Sequence, residues 1–367
     1  MANTAWSVYN FRYELIESMQ KAGYLICVFA SADGYEAQLP DFVDFYTLKK
    51  LNPTGKNPFR DYKLIAEIEK NIVDSKVDLM FSFTPKGNIY GALAARRANI
   101  ICVPTVNGLG RIFNSGGILK TIVIYLYRRS FKNIGLVFFQ NSEDLQLFID
   151  RKIVRFDQAE IVAGSGVNLS VFKPRGKIIE KGNPLILTYA GRLLPEKGVF
   201  DYIHAVQQIK DRSECTFQLV GKHPDNHSSG YLHKIEALCQ AAGIEYLGNI
   251  DQIADYLREV DVLIFPSYYR EGIPKILLEA LATGIPIITT DSIGCRETVD
   301  QDVNGWLVLP RDNDSLVTAI RGFLSLSAKE RIEMGMHSRK MAENKFDVRM
   351  IVEAYLNAAY VILRKES

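Results

Sequence analysis

The stretch VDVLIFPSYYREGIPKILLEALATGIPIITTD (260–291) reads as two buried strands joined by a helix. Its two apolar runs, at 260–267 and 285–291, are short and continuous, which is typical of strands in a parallel sheet that is covered on both faces. Between them, Pro274 suits the first position of a helix and Gly284 suits the residue after its end. The stretch therefore predicts one repeat of a doubly wound α/β domain.

The same alternation of short apolar runs and helical patterns covers the rest of the chain. Further strand-like runs lie at 24–30, 77–83, 100–106, 135–141, 185–191 and 216–221, with helical patterns such as 62–74 and 88–98 between them. A chain of 367 residues is long enough for two such domains. Because ligands bind beyond the carboxyl ends of parallel strands, two facing domains would enclose a cleft.

The predicted domain limits follow from one segment of different composition. Residues 170–184 are charged and bounded by proline and glycine, which indicates a linker. We therefore predict a first domain over 1–169, a second over 185–345, and a C-terminal helix over 346–367 that crosses back to the first domain.

Composition excludes several classes of protein. A hydrophobic fraction of 47% and a charged fraction of 23% are those of a globular protein, and a net charge of +2 gives no reason to expect a nucleic-acid partner. The five cysteines are dispersed, which favours reduced thiols over a disulfide framework. The opening stretch 1–17 carries charged residues where a signal peptide would have an apolar run, and no uncharged stretch approaches the length of a membrane span. We expect a soluble, cytoplasmic protein.

A candidate anion site lies in YAGRLLPEKG (189–198), between a predicted strand and a predicted helix. Arg192 and Lys197 would stand beside a helix N-terminus, where backbone N–H groups and the helix dipole also favour an anion such as a diphosphate. Basic residues are common in exposed loops, so ordinary surface charge is the competing interpretation.

Two carboxylates in the 260–291 stretch need partners. Glu271 precedes Pro274 in a loop, and Glu279 lies on an apolar helix, where an unpaired carboxylate is costly. Carboxylates accept hydrogen bonds from paired hydroxyls of a ribose or a sugar ring, and Gly272 permits close approach of backbone to a ligand. The alternative is that Glu279 pairs with a nearby arginine of the protein.

Taken together, the two motifs resemble the donor-site signature of retaining glycosyltransferases of the GT-B fold, family 4. The matching residues are Gly191, Arg192, Pro195, Glu196, Lys197, Gly198, Glu271, Gly272, Pro274, Glu279 and Ala280. This resemblance implies that Arg192 and Lys197 neutralise the diphosphate of a nucleotide sugar and that the backbone at Gly191 and at Gly272, Ile273 and Pro274 completes the cradle. It also implies that Glu271 binds hydroxyls of the donor sugar, that Glu279 binds the ribose, and that Glu271, Arg192 and Lys197 are catalytic.

The N-terminal half resembles, more narrowly, bacterial family-4 enzymes that extend undecaprenyl-diphosphate-linked sugars. The segments that carry this likeness are 3–24, 81–100 and 106–113. Candidate acceptor-side residues in them are Asn10, Arg12, Lys86, Asn107 and Gly108. Many relatives carry a histidine beside the donor sugar, where this chain has Pro85, so we assign no catalytic histidine.

The resemblance implies a function. We expect the transfer of a hexose or N-acetylhexosamine, with retention, from a UDP-sugar to a lipid-diphosphate-linked saccharide in the synthesis of a capsule, an O-antigen or a glycoprotein glycan. A UDP-N-acetylglucosamine 2-epimerase-like enzyme and a non-catalytic sugar-nucleotide-binding subunit remain the alternatives. Epimerases resemble the fold but lack this pair of motifs.

The segment 118–139 carries basic and aromatic residues together. Arg128, Arg129 and Lys132 beside tyrosines suit a helix at an anionic membrane surface, which here would be the inner face of the cytoplasmic membrane. A core helix with a basic end is the competing interpretation.

Metal ligands are unconvincing in this sequence, and we expect no cofactor. His223, Asp225 and His227 lie in a turn-forming stretch, and the Asp-Asn-Asp at 312–314 precedes a helix, where aspartate is a favoured cap. The two cations at 192 and 197 would supply the charge that a metal ion brings elsewhere.

The start of the chain shows one departure from a doubly wound domain. A helix pattern follows almost at once, so only Met1–Asn3 are left to form the first strand of the sheet. We expect that about six apolar residues ahead of Met1 would stabilise the domain by burying apolar surface, at about 25 cal/mol per Å².

Overall fold

The computed structural model describes residues 1–53, 55, 58–110, 117–174, 184–211, 213–222 and 229–366. It divides into two compact units: unit 1 comprises Met1–Ser165 and Val348–Ser367, and unit 2 comprises Gly166–Asp347. The two ends of unit 2 are joined, since the Val167 N–H donates to the Phe346 carbonyl at 2.8 Å. Most of the linker predicted over 170–184 lies outside the described residues.

Unit 1 is built on parallel strands. They are β1 (Ile26–Ala30), β2 (Val43–Thr47), β3 (Leu79–Phe83), β4 (Ile101–Val106), β5 (Val137–Phe139) and β6 (Ala159–Ile161), paired as β1-β2 and as β3-β4-β5-β6. Its α-helices before residue 165, among the described residues, include α1 (Ala5–Lys21), α2 (Pro58–Asp74), α3 (Ala92–Arg97), α4 (Ile118–Phe131) and α5 (Ser142–Asp150), and a π-helical turn over Gly87–Gly91 precedes α3.

Unit 2 contains one six-stranded parallel sheet of order β12-β11-β10-β7-β8-β9. The strands are β7 (Leu185–Ala190), β8 (Cys215–Val220), β9 (Ile244–Gly248), β10 (Val262–Phe265), β11 (Ile287–Thr290) and β12 (Gly305–Val308). The helices are α6 (Val199–Gln207), α7 (Ser229–Ala242), α8 (Ile253–Leu257), α9 (Lys275–Thr283), α10 (Asn313–Ser325) and α11 (Ala328–Met341). Every strand predicted from an apolar run is present.

The last helix, α12 (Val348–Glu366), belongs to unit 1 although it follows unit 2 in the chain. Tyr355 is fully buried, its ring packs against Phe81, Phe83 and Phe138, and its hydroxyl lies 2.8 Å from Thr105 Oγ1. The helix therefore supplies part of the core on one face of the unit 1 sheet.

Residues 1–3 join the two sheets of unit 1. The Ala2 N–H donates to the Phe29 carbonyl of β1 at 3.0 Å, and the Phe83 N–H of β3 donates to the Met1 carbonyl at 2.9 Å. The Met1 amine donates to the Phe81 carbonyl at 2.7 Å. These three residues thus form a short extended segment between β1 and β3.

Candidate active site

Two strand-end loops of unit 2 carry the predicted donor residues. Strands β7 and β10 are parallel neighbours, so the loops that follow them leave the same edge of the sheet. The Tyr268 N–H donates to the Glu196 carbonyl at 3.1 Å, and Ser267 Oγ lies 3.3 Å from the same oxygen. These hydrogen bonds hold the two loops together.

Lys197 and Glu271, one from each loop, form a buried ion pair. The Lys197 side chain is 6% exposed and the Glu271 side chain 17%, and the ammonium contacts the Glu271 carboxylate directly. The Lys197 Nζ also lies 5.7 Å from the Phe265 ring and 5.3 Å from the Tyr269 ring. The structure therefore brings together a cation and an anion that the sequence placed 74 positions apart, in a setting that strengthens their attraction.

Arg192 follows Gly191 at the end of β7 and is exposed. Its backbone carbonyl accepts a hydrogen bond of 3.0 Å from the Tyr189 hydroxyl, which is buried in the sheet. The loop is thus anchored through its backbone, and the guanidinium is available to solvent.

Ser267 is a site residue that was not identified from the sequence. It is fully buried, and its Oγ lies 3.2 Å from Glu271 Oε1, so it orients the carboxylate. Its carbonyl accepts hydrogen bonds from Thr290 Oγ1 and from Ser292 Oγ, the latter at 2.9 Å. The available signal was a polar residue at the end of the apolar run 260–267.

Two glycines let the loops pack backbone to backbone. A Cβ on Gly294 would lie 1.7 Å from the Gly272 carbonyl oxygen, and a Cβ on Gly198 would lie 2.2 Å from the Pro266 carbonyl oxygen. Both residues also have positive φ, +89° and +79°, which favours glycine. No side chain can stand between these backbones without moving the loop that carries Glu271.

Helix α9 supports the second carboxylate. Pro274, which we predicted at the first helical position, instead precedes the helix as its N-cap, because its ψ of 126° is extended. Gly284 ends the helix with a φ of +75°, as predicted. Glu279 is buried, and the Lys275 ammonium lies 3.6 Å from its Oε1. This contact is with a lysine one turn earlier on the same helix.

The N-terminus of α9 lies beside the ion pair. Gly272, Ile273 and Pro274 are all buried and connect Glu271 to the helix start. The first backbone N–H groups of a helix have no partner within it and carry a partial positive charge. The segment can therefore accept an anion next to Lys197.

Two titratable neighbours of Glu271 remain neutral near pH 7. Burial raises the pKa of Tyr189 well above its ordinary value, and the charge of Glu271 raises it further. Burial, followed by the charge of Glu271, raises the pKa of Cys295 to about 12. The Tyr189 phenol and the Cys295 thiol therefore add no negative charge beside Glu271.

In unit 1, the structure brings two acceptor-side candidates together. Arg12 is buried, its Nη2 donates to Asn107 Oδ1 at 3.3 Å, and its guanidinium carbon lies 4.1 Å from the centre of the Phe83 ring. Burial lowers the pKa of Arg12. Gly108, with a φ of +93°, turns the chain directly after Asn107.

Lys86 belongs to a different group of side chains. Its ammonium lies 2.5 Å from Asp61 Oδ1, and the Tyr90 hydroxyl donates to Asp61 Oδ2 at 2.9 Å. Burial raises the pKa of Tyr90, so that its hydroxyl stays a donor. Asp61, on α2, was not identified from the sequence. Asn10 donates from its side chain to the Trp6 carbonyl of its own helix at 3.1 Å.

Helix α4 has two apolar faces. Ile124, Tyr127 and Phe131 are buried in the unit 1 core, whereas Ile118 and Tyr125 are 81% and 61% exposed. The basic residues predicted to face a membrane, Arg128, Arg129 and Lys132, are all exposed at its end. Arg128 Nε also donates to the Arg151 carbonyl at 2.8 Å.

Two stretches of the sequence contain residue types that can bind a metal ion. Asp312 caps α10, where its side chain accepts from the Ser315 N–H at 3.0 Å, as expected for an aspartate before a helix. The stretch that contains His223, Asp225 and His227 lies outside the described residues. Within the described ranges, no three His, Cys, Asp or Glu side chains are grouped so that they could hold a metal ion.

Crossing a bilayer requires a helix that is both long and apolar. Over the parts of the chain that the structure covers, none combines the length and the apolar character needed to cross a membrane.

Both halves of the chain match known family models. Residues 172–341 match the model described as "Glycosyl transferases group 1", and residues 1–141 match "Glycosyl transferase 4-like". The N,N'-diacetylbacillosaminyl-diphospho-undecaprenol alpha-1,3-N-acetylgalactosaminyltransferase of Campylobacter jejuni is 26% identical over 97% of this chain and 96% of its own length. The UDP-Gal:alpha-D-GlcNAc-diphosphoundecaprenol alpha-1,3-galactosyltransferase of Escherichia coli is 27% identical over 71% of this chain and 70% of its own length.

Solved structures match the fold over almost the whole chain. A glycosyltransferase from Rickettsia africae superposes with a TM-score of 0.80 at 18% identity, covering 99% of this chain and 97% of that one. Anabaena Alr3699/HepE, solved with UDP, superposes with a TM-score of 0.77 at 19% identity, covering 95% and 96%.

Proposed function

This chain belongs to the glycosyltransferases of the GT-B fold, and we propose that it transfers a hexose or N-acetylhexosamine from a UDP-sugar to a lipid-diphosphate-linked saccharide. The family and fold that the motifs predicted are confirmed. The substrate proposal is supported by the two relatives above, whose names specify undecaprenyl-diphosphate-linked acceptors. The product would be a bacterial surface glycan.

The observation that carries the proposal is the buried ion pair between Lys197 and Glu271 beside the start of α9. A lysine has three N–H donors, so its ammonium can keep Glu271 and also bind a diphosphate oxygen. Arg192, exposed in the same loop, adds a second cation at the edge of the site. We infer that the donor diphosphate lies against Lys197, Arg192 and the first N–H groups of α9.

The two carboxylates take different parts of the donor in this proposal. Glu271, oriented by Ser267 and Lys197, accepts hydrogen bonds from hydroxyls of the transferred sugar. Glu279, five residues into α9, accepts them from the ribose. Both roles suit a carboxylate that is already held in place, because little rotamer freedom is lost when the ligand binds.

The proposed reaction retains the configuration at the anomeric carbon. The bond from C1 to the β-phosphate oxygen breaks, and the acceptor hydroxyl oxygen bonds to C1 from the same face. Its proton passes to an oxygen of the departing diphosphate, so no protein nucleophile or metal ion is invoked. Lys197 and Arg192 stabilise the charge that develops on this diphosphate, which is the largest contribution we assign to the protein.

We place the acceptor on unit 1. Arg12 with Asn107, and Lys86 with Asp61, are two side-chain pairs of unit 1 that can bind hydroxyls or phosphate. The exposed Ile118, Tyr125, Arg128, Arg129 and Lys132 of the α4 region support binding to an anionic leaflet, where a polyprenyl-linked acceptor would reside. The enzyme would then work in the cytoplasm at the inner face of the membrane.

A panel of UDP-sugars with a synthetic polyprenyl-diphosphate saccharide tests the proposal. We expect UDP release coupled to an acceptor that is one sugar longer, with an α-linkage from an α-linked donor, and loss of both in Arg192→Ala. Epimerised UDP-sugar without transfer would contradict the proposal, as would donor binding without turnover on any member of the panel.

A further inference from the structure

A pocket of about 690 Å³ opens at the amino-terminal edge of the unit 1 sheet, where β4 and β5 begin. Strand β4 pairs with β3 from Ile101 onward, but its described pairing with β5 starts at Thr105. The two strands therefore diverge toward their amino ends, and the pocket lies at this divergence. Its volume is within the range of about 300–1,000 Å³ that is usual for ligand pockets.

Small residues keep this pocket open. Ala92 of α3 lines it on one face of the sheet, and Ala354 and Ala358 of α12 line it on the other. Gly135, just ahead of β5, also lines it, and a Cβ on this residue would meet open space within 4 Å. The φ of Gly135 is outside the left-handed region, so the backbone does not require glycine there. The space beside it is free for a ligand.

Much of the pocket wall is apolar. The apolar lining residues include Ile100, Ile101, Ile134, Leu136, Val361 and Ile362. Val361 is 48% exposed, so the apolar surface continues from the pocket onto the outside of α12. A concave apolar wall that extends to an exposed apolar side chain suits the hydrocarbon part of a ligand.

Basic side chains surround the opening of the pocket. Arg96 lines it, and its Nη1 donates to the Arg129 carbonyl of α4 at 3.1 Å. This bond uses one of the five N–H donors of a guanidinium. Arg129 and Lys132 are exposed on either side of the lining residue Ser130 in the sequence. Glu160 is an acidic lining residue, so the basic side chains are in excess.

An apolar pocket with a basic opening matches an amphiphile that has an anionic head group. We propose that this pocket binds one acyl chain of an anionic phospholipid, whose phosphate lies against Arg96 and the basic end of α4. The occupant is a lipid of the leaflet and not the polyprenyl-linked acceptor, because the acceptor-side candidates Lys86 and Asn107 follow the carboxyl ends of β3 and β4, at the opposite edge of the sheet.

A lipid held in this pocket adds a specific contact to the general attraction of α4 for an anionic surface. The inference extends the membrane contact proposed above and does not depend on the proposed reaction. It is therefore tested with single lipid molecules, in the absence of vesicles, donor and acceptor.

The first test measures the binding of palmitoyl lysophosphatidylglycerol, below its critical micelle concentration, by titration calorimetry. We expect one lipid per chain, weaker binding of palmitoyl lysophosphatidylcholine, and an affinity about fivefold lower in Arg96→Ala. Arg97→Ala is the matched control, because Arg97 pairs with Glu69 at 3.6 Å, and it should bind as the unmodified chain does. Equal affinity for the two lipids, or equal loss in the two variants, would overturn the proposal.

A second test fills the pocket without changing its charge. Gly135→Phe places a ring in the open space and should lower the affinity for the same lipid by about tenfold or more, because part of the acyl chain is excluded. Gly322→Phe, in unit 2, is the matched control, since a Cβ there also meets open space. Both variants should keep the melting temperature of the unmodified chain. Equal affinity in the two variants would show that the acyl chain does not enter the pocket.

A photo-crosslink on the unmodified chain gives a readout that does not depend on how a variant folds. The same lysophosphatidylglycerol with a diazirine at the end of its acyl chain should label peptides that contain Ile101, Leu136 or Val361, and excess unlabelled lipid should abolish this labelling. Labelling confined to the exposed Ile118 and Tyr125 of α4 would mean adsorption to the surface, and it would overturn the proposal.

Discussion

Arg192 is exposed and Lys197 is buried, so replacing each residue should affect turnover and stability differently. We expect each alanine variant to lose about 2–4 kcal/mol of transition-state stabilisation, or about 30- to 900-fold in kcat/KM, because diphosphate charge is left uncompensated. Lys197→Ala should also lower the melting temperature, because the Glu271 carboxylate loses its buried cation. Arg192→Ala should leave it unchanged, and the exposed Lys329→Ala is the matched control for both measurements. Near-native turnover in both variants would contradict the assignment to the diphosphate.

Substitutions of Glu271 and Glu279 should change different kinetic parameters. Glu279→Gln is expected to raise KM for the donor chiefly, because a ribose contact is equal in the ground and transition states. Glu271→Gln is expected to lower kcat chiefly, because contacts with the sugar tighten as its bond to phosphate breaks. Steady-state kinetics with saturating acceptor measure both parameters. If Glu279→Gln chiefly lowered kcat and Glu271→Gln chiefly raised KM, the sugar and ribose roles would have to be exchanged.

The residues identified from the sequence are those with recognisable spacing. Arg192, Lys197, Glu271 and Glu279 could be named because each lies in a short motif. Ser267 and Asp61 could not, since each acts through a partner that only the folded chain supplies: the hydroxyl on Glu271, and the carboxylate on Lys86. Likewise, no pattern in the sequence relates Gly294 to the Gly272 carbonyl.

At the scale of elements, α4 should act as the membrane contact. Replacing Arg128, Arg129 and Lys132 together with alanine is expected to weaken binding to anionic vesicles by about 1 kcal/mol per basic residue. Replacing the exposed Ile118 and Tyr125 with serine should weaken binding to neutral vesicles as well, because apolar insertion does not depend on lipid charge. Sedimentation with vesicles measures both. Binding equal to that of the unmodified chain in both variants would leave α4 as a core helix only.

Whole elements were easier to predict than their ends. The continuous apolar runs located the strands correctly, because burial on both faces leaves a strong pattern. The run at 135–141 forms a strand only over Val137–Phe139, and the helix expected from residue 62 already begins at Pro58. Hydrogen bonds to neighbouring segments determine where a strand or helix ends, and the sequence of a single segment does not encode them.

For the molecule as a whole, unit 1 depends on the helix that follows unit 2. Tyr355→Ala should destabilise unit 1 by about 3–5 kcal/mol, because a fully buried ring among three phenylalanines is removed. Tyr360→Ala, on the same helix but 49% exposed, is the matched control and should change stability little. Denaturant titration followed by hydrogen exchange in unit 1 measures the difference. Equal loss in the two variants would mean that α12 does not complete the core as described.

The position of α12 also sets an order of events on the ribosome. Residues up to Ser165 emerge first. Phe81, Phe83 and Phe138 cannot pack against Tyr355 until residues 166–347 have been translated. At about 5–20 residues per second, that interval lasts roughly 10–40 s. Unit 2, which is continuous in the chain, can finish folding during this time. The earlier half of the nascent polypeptide meanwhile presents an uncovered aromatic surface, which makes it the natural client of a chaperone that shields nascent chains.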